Sequence, residues 1–374
     1  MRGQSGFNVP INGYRGLCAL FVFVYHVVNA RVITLSEFGA PAEFVLSSFR
    51  YGVEMFFMIS GFVIPISLAR RATIGRFLRD RFVRIFSAWL PILTIVTLVC
   101  SAFNLKMFTD LAPLDALGMF LANVFLLPPL LPGTLIVAGS WSLTYEWVFY
   151  FAAAVLMLVL RRDPESRLQR IAWAAAVGAF VIAFPRALFF LPGVLVFRYL
   201  PWFTQHKAWL RASGLSLIVF LLSWRFTGAD KAELTETMLD WAYDGRLLAA
   251  VIALAAAVHL FASITLRATS EFTFLESRAF QFLGKISYSF YLWQSLVVSA
   301  VKRVVGAWII PHTGVAFGFV AVFVLALAVA VPLSWATWLL LEVRLAKRMR
   351  GWLAPAPEES QEEELPRPAI SFSG

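Results

Sequence analysis

Apolar runs of about twenty residues, each closed by a short stretch that is polar or rich in arginine, recur from the beginning of the chain to residue 341. A helix needs about 20 mostly apolar residues to cross a bilayer. The pattern therefore predicts ten spans, near 16–35, 49–69, 85–103, 141–160, 171–184, 187–203, 212–224, 247–266, 282–301 and 315–341, with the fifth to seventh the shortest. The fold class predicted is all-α, a polytopic membrane helix bundle, with residues 1–350 as one multi-pass domain. The remainder, 351–374, carries Pro355, Pro357, Glu358, Glu359, Glu362, Glu363 and Glu364. Such a segment is too polar to bury and reads as a disordered cytoplasmic tail.

Charge in the connections sets the expected orientation. Arg70, Arg71, Arg76, Arg79, Arg81 and Arg84 stand against Asp80 alone, and Arg161, Arg162, Arg167 and Arg170 follow the fourth span. Arginine-rich short loops stay in the cytoplasm. Both loops can be inside only if the apolar stretch 114–137, broken by Pro128, Pro129, Pro132 and Gly133, enters and leaves on one side as a re-entrant segment. Residues 225–244, with Asp230, Glu233, Glu236, Asp240 and Asp244, then lie outside, and Arg344, Lys347, Arg348 and Arg350 lie inside. Both termini are expected in the cytoplasm.

Composition agrees with a lipid solvent: 60% of the 374 residues are hydrophobic, 14% are charged and mean hydropathy is +0.76, against about 25% charged in soluble domains. The net charge of +10 sits in short loops between apolar runs, so it speaks for membrane orientation and not for nucleic-acid binding. Cys18 and Cys100 lie inside apolar runs without a CxxC or Cys/His neighbourhood and read as small hydrophobes, with no metal site expected. The first run, although preceded by Arg2 and Arg15, lacks a good cleavage site and reads as a retained helix.

Several polar residues interrupt these runs. In N-G-Y-R-G-L-C-A-L-F-V-F-V-Y-H, residues 12–26, Arg15 and His26 are eleven positions apart. On an α-helix that is about 16 Å of rise and about 1100° of rotation, so both project from one face. With Arg15 at the cytoplasmic interface, His26 is expected near the middle of the membrane, where ionisable groups face polar cavities or pair with a neighbour. The second run holds Glu54, Ser60, Gly61 and Pro65; a Ser-Gly pair also serves close helix packing. The fourth opens with W-S-L-T-Y-E, Trp141 and Ser142 leading to Glu146. The ninth holds Ser287, Tyr288 and Tyr291, as hydroxyl donors or as an interfacial aromatic belt.

Taken in order, Arg15 with His26, F-F-M-I-S-G-F at 56–62, R-F-V-R-I at 81–85, W-S-L-T-Y-E at 141–146 and I-S-Y-S-F-Y-L at 286–292 resemble the acyltransferase-3 family of bacterial membrane O-acyltransferases. The resemblance implies acyl-CoA, usually acetyl-CoA, as donor co-substrate. It implies a surface or exported carbohydrate as acceptor, less often a glycolipid or small molecule, and an essential Arg15/His26 pair. Three departures stand out: Ser87 where the family commonly has Pro, Gln294 where its motif often ends in His, and no Pro two positions after Glu342. None touches Arg15 or His26, and the absent histidine at 294 places the acid/base burden on His26.

The expected chemistry is then a base at His26, oriented by Glu146 if that carboxylate reaches it, with Arg15, Arg81 and Arg84 holding the CoA phosphates. Burial disfavours an imidazolium and leaves the ring able to accept a proton. No GxSxG motif favours an acyl-enzyme, and direct transfer and a covalent intermediate both stay open. Two other classes fit the same residues: a transporter using His26, Glu54 and Glu146 as a proton or ion path, and a non-catalytic scaffold in which His26 satisfies a helix contact.

Overall fold

A computed structural model describes residues 5–29, 39–70, 73–162, 166–228 and 236–353. Among them every regular element is a helix. In chain order these are α1 (Ser5–Val28), α2 (Ala40–Ser48), α3 (Gly52–Ala69), α4 (Ile74–Ala102), α5 (Pro113–Val124), α6 (Trp141–Arg162), α7 (Arg167–Ala183) and α8 (Phe190–Arg198). There follow α9 (Leu200–Gln205), α10 (Ser213–Phe226), α11 (Met238–Tyr243), α12 (Leu247–Thr265), α13 (Arg278–Trp308), α14 (Ile310–Thr313), α15 (Val315–Thr337) and α16 (Ala346–Trp352). A π-helical stretch, Trp338–Leu345, joins the last two.

Seven of these segments are long and apolar enough to cross a membrane: Val9–Val28, Ala40–Ala69, Ile74–Ala102, Trp141–Arg162, Leu247–Thr265, Arg278–His312 and Ala316–Trp352. They correspond to the first four and last three predicted spans. The fifth and sixth, α7 with Pro185–Arg198, form a pair bent by 119°. The seventh, α10, has only 14 residues. The ten apolar runs thus all become helices, the fifth to seventh being shorter or bent.

Helix α1 differs in register from its prediction. It ends at Val28, so His26 lies in its last turn and Arg15 lies well inside it. Hydropathy alone set the start at residue 16 because Asn12 and Arg15 are polar. The fold lets them enter the helix by supplying partners from α13: Asn12 Nδ2 donates to the Gln281 carbonyl at 2.9 Å, and Arg15 Nη2 to Ser287 Oγ at 3.1 Å. The α1–α13 approach is close enough that a Cβ on Gly284 would stand 1.9 Å from the Asn12 carbonyl oxygen. Likewise α3 and α8 meet at Gly61 and Gly193, where added Cβ atoms would lie 2.0 Å from the Phe190 and 1.9 Å from the Met58 carbonyl oxygens. Small residues at these crossings let backbones touch, which is how helices associate in lipid.

Segment 113–140 folds back on the bundle. Its helix α5 has 12 residues, about 18 Å of rise, too short to cross the hydrocarbon layer. Asn123 pins the chain on the C-terminal side of α5, its Nδ2 donating to the Thr134 carbonyl at 2.8 Å and its Oδ1 accepting from the Ile136 amide at 3.1 Å. Thr144 Oγ1 on α6 donates to the Leu126 and Pro128 carbonyls. Helices α4 and α6 consequently run antiparallel, Phe77 meeting Tyr150 while Phe86 meets Trp147. The start of α4 and the end of α6, the two arginine-rich connections, lie at one end of the bundle. The chain's last described turn is there too, with Arg79 Nη1 donating to the Leu353 carbonyl at 3.4 Å. Glu236, Asp240 and Asp244, beside the start of α12, lie at the far end, where Trp241 packs on Trp224 and Trp224 bonds to Glu54. The expected tail beyond Leu353, together with Asp230 and Glu233, lies outside the described residues.

Candidate active site

Between the two ends, helices α1, α3, α6 and α13 enclose two cavities that share Val53 and Tyr291 in their walls. The inner one, about 80 Å³, is lined by Arg15, Ser60, Arg84, Ser142, Glu146, Ser287 and Tyr288 among apolar side chains. Eight of the sequence-predicted residues, Arg15, Ser60, Arg84, Ser142, Glu146, Ser287, Tyr288 and Tyr291, therefore meet here, although they come from five helices. Glu146 Oε1 accepts from Ser60 Oγ at 3.0 Å and from the Tyr150 hydroxyl. Arg15 holds Ser287 with both Nε and Nη2. Tyr288 donates to the Ile85 carbonyl at 2.8 Å, fixing the ring against α4. Glu342, in the π-helical stretch, accepts from the Ser289 amide and hydroxyl. It joins Glu146 in acting electrostatically on Arg15 and Arg84. Two guanidiniums and two carboxylates thus balance around a chamber walled by Phe56, Phe57 and Leu143, a low-dielectric setting in which each charge needs its counterpart.

The outer cavity is about 750 Å³. His26, half-buried, lines it with Tyr25, Asn29, Arg50, Trp141, Arg186, Tyr291, Ser295, Ser299, Lys302 and Arg303. Tyr291, at the boundary, is held by Ser142 Oγ at 3.0 Å and donates to the Gly139 carbonyl at 2.9 Å. Tyr291 and Val53 thus stand in the wall common to both cavities. Arg186 forms an ion pair with the fully buried Glu54 at 3.1 Å and lies 5.0 Å over the Trp141 ring.

Two expectations are revised by this arrangement, and Gly61 takes the packing role that was also expected for it. Glu146 does not sit beside His26: it belongs to the inner chamber, bonded to Ser60 and Tyr150, and among the described residues no carboxylate hydrogen-bonds the imidazole. Arg81 does not line the chamber; its Nη2 donates to Ser67 Oγ at 2.6 Å and its guanidinium lies over Phe77 and Tyr150. Gly61 serves the α3–α8 crossing and lines neither cavity. Gln294, which stands where the family often has His, is fully buried outside both cavities, its amide atoms without a hydrogen-bond partner among the described residues.

Sequence reasoning missed Arg50, Arg186, Lys302, Arg303, Tyr150 and Glu342. Arg186 carried a usable signal, being a cation inside a long apolar stretch, which calls for a partner by the same logic that singled out His26. The rest read as interfacial or terminal residues until the helices are packed.

The fold defines a multi-pass membrane protein with two neighbouring cavities, lined by polar and charged side chains, inside its helix bundle. Residues 8–339 match the family described as an acyltransferase domain, acyltransferase-3, and the chain belongs to that family of acyl-transferring enzymes. Acyltransferase MdmB of Streptomyces mycarofaciens is 27% identical over 181 residues, covering 47% of this chain and 45% of that protein. The chain thus spans about half the length of the curated relative it matches. No solved structure matches.

Proposed function

We propose that this protein transfers an acyl group, acetyl in the simplest case, from cytoplasmic acyl-CoA to a hydroxyl of a surface or exported carbohydrate or glycolipid, with His26 as general base. The observation that carries this reading is the junction at Tyr291. An imidazole that no described carboxylate hydrogen-bonds faces a cavity large enough for a sugar, and a chamber of arginines and hydroxyls adjoins it from the other side. The arginine-rich end of the bundle is assigned to the cytoplasm and the His26 end to the outside, in a bacterial inner membrane with both termini inside. Donor and acceptor then approach from opposite faces and meet within the protein.

In the reaction, His26 takes the proton of the acceptor hydroxyl as that oxygen attacks the thioester carbonyl carbon. The C–S bond breaks, the ester forms and CoA leaves as the thiol after protonation. Arg15 and Arg84 fit the phosphate-bearing donor, guanidinium forks being suited to phosphate oxygens. The ion-path alternative has less support, because Glu54 is closed in its pair with Arg186 and lines neither cavity.

The test uses the purified full chain in lipid nanodiscs with labelled acetyl-CoA and a panel of carbohydrates. His26→Gln is expected to keep the fold and acyl-CoA affinity while transfer falls by about 10²–10⁴-fold. Near wild-type transfer by that variant would remove His26 from the chemistry.

A further inference from the structure

The last of the long apolar segments, Ala316–Trp352, carries one carboxylate, Glu342, which lines neither cavity. A carboxylate in such a segment marks a partner or a function. It sits in the π-helical stretch Trp338–Leu345, a conformation that recurs at functional sites. Its Oε1 accepts from the amide of Ser289 at 3.1 Å and from the Ser289 hydroxyl, and Ser289 is fully buried. The helical acceptor of that amide is the Lys285 carbonyl, four residues back in α13, so the ladder is complete without a carboxylate. Glu342 forms no ion pair among the described residues, yet it acts electrostatically on both Arg15 and Arg84. The field of those two guanidiniums offsets the cost of keeping it charged. Three consecutive residues of α13 carry the connection: Ser287 accepts from Arg15, Tyr288 donates to the carbonyl of Ile85, the residue after Arg84, and Ser289 holds Glu342. Ser287 and Ser289 stand about 200° apart around the helix. Glu342 therefore meets this turn from the side away from Ser287, and its charge reaches the arginines across the width of one helix, about 10 Å.

We propose that Glu342 is a positioning residue for the donor site: held by Ser289 behind the chamber, its charge weakens the grip of Arg15 and Arg84 on the phosphates of acyl-CoA and so lets the product CoA leave. This rests on the reading of those arginines as the phosphate site and adds what limits their affinity. Donor and product carry the same phosphates, so a chamber with less opposed guanidiniums would hold CoA as firmly as acyl-CoA, and binding both more tightly does not speed the reaction. Glu146 offsets the same cations from within the chamber wall, where Ser60 and Tyr150 hold it. Glu342 does so from outside the wall, leaving the chamber free for the donor. The two roles open to Glu342 differ in sign. Removing a charge that limits affinity tightens CoA binding, whereas removing a merely structural contact loosens the Ser287–Ser289 turn and weakens it.

The test measures CoA binding to the purified full chain in nanodiscs by calorimetry, without turnover. Glu342→Gln keeps an oxygen that accepts from Ser289 and removes the charge. A unit charge about 10 Å from a phosphate, at an effective dielectric constant of about 20–40, changes affinity roughly four- to sixteenfold. Glu342→Gln is therefore expected to lower the Kd for CoA by about that factor, with CoA dissociation slowed in proportion. Glu342→Asp, which retains the charge, and Ser289→Ala, which loses the hydroxyl contact alone, are expected to stay within about twofold of wild type. Glu342→Met, of similar length and compatible with lipid, repeats the measurement should the amide variant not fold. Unchanged or weaker CoA binding by the folded Gln or Met variant, or failure of both to fold, would make Glu342 a structural group and overturn the proposal. So would equal tightening by Glu342→Asp or Ser289→Ala, which would trace the effect to the contact with Ser289. Arg84→Ala separates this from the reading beneath it. Unchanged CoA affinity in that variant would refute the phosphate site, whereas weaker binding there with no tightening by Glu342→Gln would refute the role of Glu342 alone.

Discussion

Removing Arg186 will destabilise the bundle more than removing its partner Glu54, and the reason lies in where each side chain can find water. Glu54 is fully buried; Oε1 accepts from Arg186 at 3.1 Å and from Trp224 Nε1 at 3.2 Å, while Oε2 has no partner among the described residues. Arg186 has a side chain 10% exposed, borders the outer cavity and lies over the Trp141 ring. In Arg186→Met the carboxylate keeps one neutral hydrogen bond in a dry interior, which costs about 3–5 kcal/mol, the range for breaking a buried pair. In Glu54→Gln the amide keeps the Trp224 bond and the guanidinium turns to cavity water and the indole face, so about 1–3 kcal/mol is expected. The double variant should recover part of the larger loss, since neither charge is then left buried alone. Detergent-solubilised protein followed by denaturant titration gives the three values. A Glu54→Gln loss equal to or greater than that of Arg186→Met would refute the argument that hydration of the surviving partner sets the cost.

Arg84 and Arg81 should separate in donor binding. Arg84→Ala is expected to raise the KM for acyl-CoA about tenfold or more, with Arg84→Lys recovering only part, whereas Arg81→Ala, which loses a bond to Ser67, should change KM little; equal effects would contradict the placement of Arg84 alone in the chamber. Glu271, in the loop before α13, accepts from Ser213 Oγ and the Gly214 amide at the start of α10, and these bonds lower its pKa. A lowered folded-state pKa contributes stability that is present above the unfolded carboxylate value and is lost as pH falls through the folded one. Wild type should therefore lose stability below about pH 4.5 more steeply than Glu271→Gln, as acid titration of unfolding would show, and parallel curves would exclude this contact as a contributor. Single cysteines at 76 and 167 should share one side of the membrane and a cysteine at 240 should lie on the other, read by impermeant thiol labelling; opposite labelling at 76 and 167 would break the fold-back of 113–140.

How far the linear order of residues could be read depends on the range of the forces involved. Local hydropathy and helix periodicity act within about twenty residues, and they determined the all-helical class, the positions of the long spans, the arginine-rich connections and the ordered motifs that carry the family resemblance. The side chains of the inner chamber were likewise legible one by one, because a polar or ionisable group in an apolar run is expensive to bury and therefore marks a partner elsewhere. Which partner it meets is a long-range question. Ser60 lies 86 positions from Glu146, and Arg15 lies 272 from Ser287, so no periodicity relates them. Tertiary packing decided that Glu146 joins Arg15 and not His26. It extended α1 upstream to include Asn12 and Arg15 by supplying Gln281 and Ser287, and it bent α7 and α8 into one broken pair. It also placed Arg50, Lys302 and Arg303 in the wall of the cavity that His26 lines. Those residues sit in ordinary positions along the chain, and their shared charge becomes a property of one cavity only when α13 and the turn before α3 are brought together across α1.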